Sequence, residues 1–275
     1  MRLLSADAEK PALKTFFNET ERPEYAILSH TWMVAEDEVS FSDLADLDRA
    51  RQKRGWKKIQ HTILQAQAHD LDWVWVDTCC IDKSSSAELA EAINSMFRWY
   101  RDSAICYVYL DDVPDLTEWL ELTHARWFTR GWTLQELLAP NDAHFFSQDW
   151  QILGDRGSLA TLIAQAHGIG EGAASALHTL RHALTTRVTS FFEGFSIAQR
   201  MSWAAGRRLT RVEDEAYSLL GLFDANMPVL YGEGNKAFFR LQQEIMKTRM
   251  DHTIFVWEYD APTGLYGTTD GQHRA

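Results

Sequence analysis

Cysteine is scarce in this chain: Cys79, Cys80 and Cys106 are the only three among 275 residues. Two of them are adjacent, which suits neither a disulfide framework nor the spaced pairs of a zinc knuckle. Long apolar runs are missing as well. None reaches the roughly 18 residues of a membrane-spanning helix. The opening MRLLSADAEK lacks the apolar stretch of a secretion signal. Positive charge is in deficit, with 27 Lys and Arg against 39 Asp and Glu and a net charge of −12. The densest basic run, 49–58, is short and reads as a solvated helix face. Such a balance argues against a nucleic-acid backbone or an anionic membrane as partner. No glycine-rich phosphate loop is present, because GIGEG (168–172) has neither the spacing nor the preceding strand of a dinucleotide fingerprint. Internal repeats and low-complexity segments are absent too. These absences leave a soluble protein of a reducing compartment, most simply the cytoplasm.

What is present is an ordinary globular composition, 45% hydrophobic and 24% charged. Eleven tryptophans, clustered near Gly, Arg and Asp, favour a packed fold with aromatic-walled clefts. Before residue 150, four short β-rich runs stand out: 25–29 (YAILS), 73–77 (WVWVD), 104–110 (AICYVYL) and 143–147 (AHFFS). Helical spacing separates them, carried by Trp56, Ile59, Ile63 and Ala66, then by Leu89, Ile93, Met96, Phe97 and Tyr100. Ser85 with Glu88 marks the start of the second helix as a capping box. Strands alternating with helices predict a parallel sheet with right-handed crossovers, in the flavodoxin-like order 2-1-3-4. Ligands in such sheets bind beyond the carboxyl ends of the strands, where strands one and three part. The loops beginning at His30, Thr78 and Asp111 are therefore the places to search.

Beyond residue 150 the pattern turns helical, over 159–184, 191–205, 213–220 and 236–250, with a last strand at 253–257 (TIFVW). Thr210 with Glu213 makes a further capping box, and Gly221 suits a C-cap. Residues 1–150 thus form an α/β core and 151–257 a helical extension needing burial on it, while 258–275 read as a disordered tail. His178 and His182 share a helix face, but without a third ligand nearby two exposed histidines are the better reading. Cys79 and Cys80 follow a strand end, where a nucleophile could sit, yet no histidine partner is placed by the local sequence, which favours buried structural thiols.

The segment RWFTRGWTLQELLAP (126–140) is the most informative. Thr133 and Glu136 fit a capping box, and Leu134, Leu137 and Leu138 form a buried stripe that leaves Glu136 off it. A carboxylate in the first helical turn after strand three lies beside the crevice.

At these residues the chain resembles a known family. YAILSHTW (25–32), WVDTCCIDK (75–83) and RGWTLQELLAP (130–140) are similar to the signature blocks of the fungal heterokaryon-incompatibility (HET) domain, and 198–245 resembles its downstream block. The resemblance covers about residues 1 to 257. It implies a fungal self/non-self recognition effector whose activation causes cell death. In such proteins a nucleotide-binding and repeat region often follows; the sequence here does not include one, so either it is a piece of a larger sensor protein or a sensor is supplied in trans, and self-association on activation is expected. The HET domain is in turn similar to TIR domains: WTLQEL looks like the TIR pattern W-C-L-x-E-L with Thr133 in place of Cys, and the glutamate that is catalytic in NAD-cleaving TIR domains corresponds to Glu136.

That correspondence makes chemical sense. Cleavage of the nicotinamide–ribose bond passes through an oxocarbenium-like state, which a fixed carboxylate stabilises. Nicotinamide leaves neutral, so no general acid is required and one glutamate can suffice. NAD is then substrate, with no cofactor and no metal. Ser29 and His30 are candidates for ribose or phosphate contacts. Trp32 and Trp127 could stack on a ring or simply pack in the core. Asp82 and Arg130 could bind substrate or make structural salt bridges. Against the NAD-cleaving enzyme stand a non-catalytic death-signalling module acting by homotypic assembly and, more distantly, a thiol hydrolase using Cys79 or Cys80.

Overall fold

The computed structural model describes residues 1–114, 119–167 and 192–255. Seven strands form one mixed sheet: β1 (Arg2–Ser5), β2 (Leu13–Thr15), β3 (Ala26–His30), β4 (Trp73–Trp75), β5 (Ile105–Tyr109), β6 (Ala143–Phe146) and β7 (Ile152–Asp155). They lie in the order β2-β1-β4-β3-β5-β6-β7. The central four, β4-β3-β5-β6, are parallel and carry the 2-1-3-4 order expected from the apolar runs. Every residue of β3 and of β5 is buried, which is why these runs show no polar alternation. Antiparallel strands flank the parallel core: β1 pairs with β4 and β2 on one side, β7 with β6 on the other.

The helix Trp56–Ala68 buries Trp56, Ile59, Ile63 and Ala66, the expected stripe, but also Lys58. The helix Ser86–Arg101 starts at Ser85, whose hydroxyl accepts from the Glu88 N–H at 3.3 Å. Glu88 does not close that box. Its carboxylate accepts instead from Arg2 and from the Asp82 N–H. Strand two is shorter than 73–77, for Asp77 opens a helical turn, Asp77–Cys80.

The C-terminal segment is knitted onto this core. Arg208 N–H donates to the Thr129 carbonyl at 2.6 Å and Gly131 N–H to the Arg208 carbonyl at 3.1 Å. A Cβ on Gly131 would lie 2.3 Å from Leu209 Cδ2, so the two segments meet at a distance only glycine permits. Gly221 is no C-cap. It sits inside the 3₁₀ turn Leu220–Phe223 with a would-be Cβ 2.0 Å from Phe97 Cβ, and the left-handed cap is Asp224 at φ 52°. Glu213 likewise does not box with Thr210. Its Oε1 accepts from the N–H groups of Gly232 (2.7 Å) and Gly234 (3.1 Å), pinning the loop before the helix Lys236–Thr248. The strand expected at 253–257 is a 3₁₀ turn over His252–Phe255 as far as it is described. Of the helices expected at 159–184, Ala160–His167 is present; the remainder, His178, His182 and the 258–275 tail lie outside the described residues.

Candidate functional site

The last two residues of β3 divide the site between them. Neighbouring side chains on a strand point to opposite faces, and here Ser29 faces Glu136 while His30 faces the helix Trp56–Ala68. Ser29 Oγ accepts from Trp127 Nε1 at 2.7 Å and donates to the Glu136 carboxyl. Trp127 has no acceptor to offer, so the tryptophan fixes the serine proton on the glutamate side.

Glu136 belongs to the short helix Thr133–Leu138, all six residues of which are buried. Thr133 and Glu136 do not form a capping box. Thr133 is the first helical residue, and its hydroxyl donates back to the carbonyls of Trp127 (2.7 Å) and Arg130 (2.8 Å). Glu136 is thereby left free of local duty and reaches Ser29, 107 residues away in sequence. Only 7% of it is exposed. Burial pushes its pKa up to about 8, opposed by the Ser29 hydrogen bond and reinforced by the negative charge of Asp77. Behind the helix start, buried Arg207 donates to the Arg130 carbonyl at 2.7 Å and to Thr133 Oγ1 at 3.1 Å.

On the other face runs a chain of buried polar groups. Lys58 Nζ donates to Glu38 at 2.7 Å and to His30 Nδ1 at 2.8 Å. An ammonium has only protons to give, so Nδ1 accepts and the ring proton sits on Nε2, 3.0 Å from Asp77 Oδ1. Asp77 Oδ2 accepts from Trp32 Nε1 at 2.7 Å. Burial alone would raise the Asp77 pKa, but His30 together with Lys83 and Trp32 outweighs it and holds the carboxylate at about 2. Lys58 is 1% exposed, and burial lowers its pKa while Glu38 resists the change.

Both systems open into one cavity of about 410 Å³ at the carboxyl ends of the parallel strands. His30, Trp32, Arg130 and Glu136 line it, as do Asp77 and Lys83. The far wall comes from the C-terminal segment, through Arg211, Asp214 and Tyr231. Of the other residues singled out in the sequence, Ser29 lies behind Glu136. Trp127 is fully buried and supports Ser29 rather than facing the cavity. Asp82 is turned away, its carboxylate accepting from the N–H and hydroxyl of Ser84 in an exposed turn; its neighbour Lys83 faces the cavity instead. Sequence reasoning missed Asp77, although it follows directly on a strand end, and missed Lys58, whose place on a buried stripe is hidden in a basic run. Nothing local marks Arg211, Asp214 or Tyr231.

Cys79 and Cys80 are buried, and the Cys79 thiol is pushed well above its ordinary pKa by its hydrogen bond with Cys80 and by burial, the reverse of an activated nucleophile. Among the described residues no three His, Cys, Asp or Glu side chains group as metal ligands.

Compared with known proteins, residues 25–118 match the family described as heterokaryon incompatibility protein (HET). The vegetative incompatibility protein HET-E-1 of Podospora anserina is 49% identical over 234 residues, which make up 82% of this chain and 16% of that protein. The chain thus spans about a sixth of the length of this relative. No solved structure matches it.

Proposed function

Because this chain belongs to the heterokaryon-incompatibility (HET) family, we propose that it is a cell-death effector of fungal vegetative incompatibility, acting by hydrolysis of NAD between nicotinamide and ribose. The observation that carries the chemistry is Glu136, buried at the carboxyl end of a parallel sheet and facing a cavity of about 410 Å³, a size suited to a small-molecule ligand. The likeness of WTLQEL to the TIR pattern and the 2-1-3-4 strand order support the same reading.

The cationic nicotinamide nitrogen takes the electron pair of the breaking C1′–N bond and leaves neutral. Positive charge passes to the ribose ring, and the Glu136 carboxylate faces it from a buried position, where an electrostatic contact is strongest. Water then adds to C1′ and gives up a proton, giving ADP-ribose and nicotinamide. Burial keeps a proton on Glu136 near neutrality. A bound cation beside it favours the carboxylate, so substrate binding and proton release are coupled. Ser29, held by Trp127, keeps one carboxyl oxygen fixed for the other to face the ribose.

The test is release of free nicotinamide from NAD by concentrated protein, with and without enforced clustering, since self-association belongs to the same proposal. Release that disappears in Glu136→Gln supports it. A parent that kills cells when clustered yet releases no nicotinamide overturns the hydrolase and leaves a non-catalytic assembly module.

A further inference from the structure

The cavity has two walls built on one plan. On the core side, Asp77 accepts from Trp32 Nε1 at 2.7 Å, and Lys83 Nζ lies 3.7 Å from the centre of the same indole ring. On the C-terminal side, Asp214 accepts from the Tyr231 hydroxyl at 2.9 Å, and the Arg211 guanidinium lies 4.3 Å from the centre of that phenol ring. In each, a carboxylate ties down the polar tip of an aromatic side chain and the ring face holds a cation. Arg130 lines the same cavity.

This protein has 39 acidic side chains for 27 basic ones, and several of its cations stand in ion pairs. Arg2 pairs with Glu88, Arg22 with Asp102 and Arg240 with Glu233. Among the described residues, none of Lys83, Arg130 and Arg211 has a carboxylate within ion-pair distance, though the carboxyl groups of Asp77, Glu136 and Asp214 line the same cavity. Asp77 and Asp214 hold the aromatic tips, and Glu136 accepts from Ser29. Three cations without an ion-pair contact converge on one concavity, which suits an anionic ligand, and two guanidinium forks with one ammonium match the several oxygens of a condensed phosphate.

We propose that Lys83, Arg130 and Arg211 form a clamp for the diphosphate of a nucleotide, one jaw supplied by the α/β core and the other by the C-terminal segment. The clamp rests on the reading of the cavity as a dinucleotide site and names the part of the substrate that these residues hold. It places the nicotinamide ribose inward at Glu136 and the diphosphate at the mouth, where Lys83 and Arg211 are exposed.

Calorimetric titration with ADP, adenosine and inorganic pyrophosphate tests the clamp without any turnover. ADP is expected to bind at least about ten-fold tighter than adenosine, and added salt should narrow the gap. Arg211→Gln and, separately, Lys83→Gln should each weaken ADP about ten-fold and leave adenosine unchanged, both residues being exposed enough to change without unfolding. Arg54→Gln, at an exposed pair with Asp37 away from the cavity, should do nothing. In turnover, the clamp variants should raise KM for NAD and leave hydrolysis of nicotinamide riboside, which has no phosphate, as it was. Equal binding of ADP and adenosine by the parent, or unchanged ADP affinity in both clamp variants, overturns the clamp even if NAD is cleaved. Absence of nicotinamide release with ADP held as expected overturns the hydrolase and keeps the clamp.

Discussion

Replacing Glu136 by Gln separates two consequences of its burial. The amide copies the neutral acid in shape, can still accept from Ser29, and cannot ionise. In the parent, the carboxyl titrates near 4.5 when unfolded and about 8 when folded. Raising a carboxyl pKa by folding means that the protonated form is favoured in the native state. Stability from this group is therefore whole below about 4.5, drains away as pH rises, and is gone above about 8. At 1.36 kcal/mol per pH unit, the loss is about 1 kcal/mol at pH 5, about 3 at pH 7 and nearly 5 at pH 9. Glu136→Gln escapes that loss. Any fixed cost of the amide is the same at every pH, so urea unfolding of both proteins at pH 5, 7 and 9 isolates the effect. The variant should gain about 2 kcal/mol on the parent from pH 5 to 7, and between 1 and 2 more by about pH 9. Its nicotinamide release should fall by roughly two to three orders of magnitude, as when other electrostatic stabilisers are removed. Stability curves that run parallel across this range would refute the buried, proton-holding carboxyl on which both expectations stand.

Ser29→Ala removes the donor that opposes the upward push on Glu136 and strands Trp127 Nε1; the rise of kcat/KM with pH should move to more alkaline pH, with a loss of about 1–3 kcal/mol in stability. An unmoved pH profile would count against the serine's role. Lys58→Met leaves the Glu38 carboxylate buried without its partner, costing about 3–5 kcal/mol in denaturant titrations, part of which the added change Glu38→Gln should restore. Gly221→Ala drives a methyl into Phe97 and should cost about 1–3 kcal/mol. If Phe97→Ala in the same chain recovers none of it, the close contact is not the cause.

How much of this was legible follows from the range of each interaction. The parallel core could be read because β3 and β5 are buried on both faces, leaving apolar runs that need no partner to be noticed. Strands β1, β2 and β7 are three or four residues long and owe their existence to the strands they pair with. All three capping boxes were right in residue type and incomplete or wrong in bonding. Glu88, Glu136 and Glu213 each find a partner distant in sequence, namely Arg2, Ser29 and the loop at Gly232, and a buried or bidentate long-range contact outweighs a cap worth about 1 kcal/mol. Glu136 could be located because a motif marks it. Arg211 and Tyr231 could not, since the cavity wall they make exists only once the C-terminal segment is laid against the core.

The proton on Glu136 also limits how this site can be switched. With a pKa of about 8, about a tenth of the molecules carry the carboxylate at pH 7. Assembly or a partner that lowered that pKa, by bringing a cation or tightening the Ser29 hydrogen bond, could raise the active fraction by at most about ten-fold. The effect would shrink to less than two-fold above about pH 9, where the carboxylate already dominates. An activation that persists undiminished at pH 9, or exceeds ten-fold at pH 7, must come instead from geometry. The place for such a change is the meeting of core and C-terminal segment, where Arg207 holds the start of the Glu136 helix through Arg130 and Thr133. Comparing clustered with unclustered protein at pH 7 and pH 9 distinguishes the two routes: a gain confined to the lower pH is electrostatic, and a gain equal at both is a rearrangement of that joint.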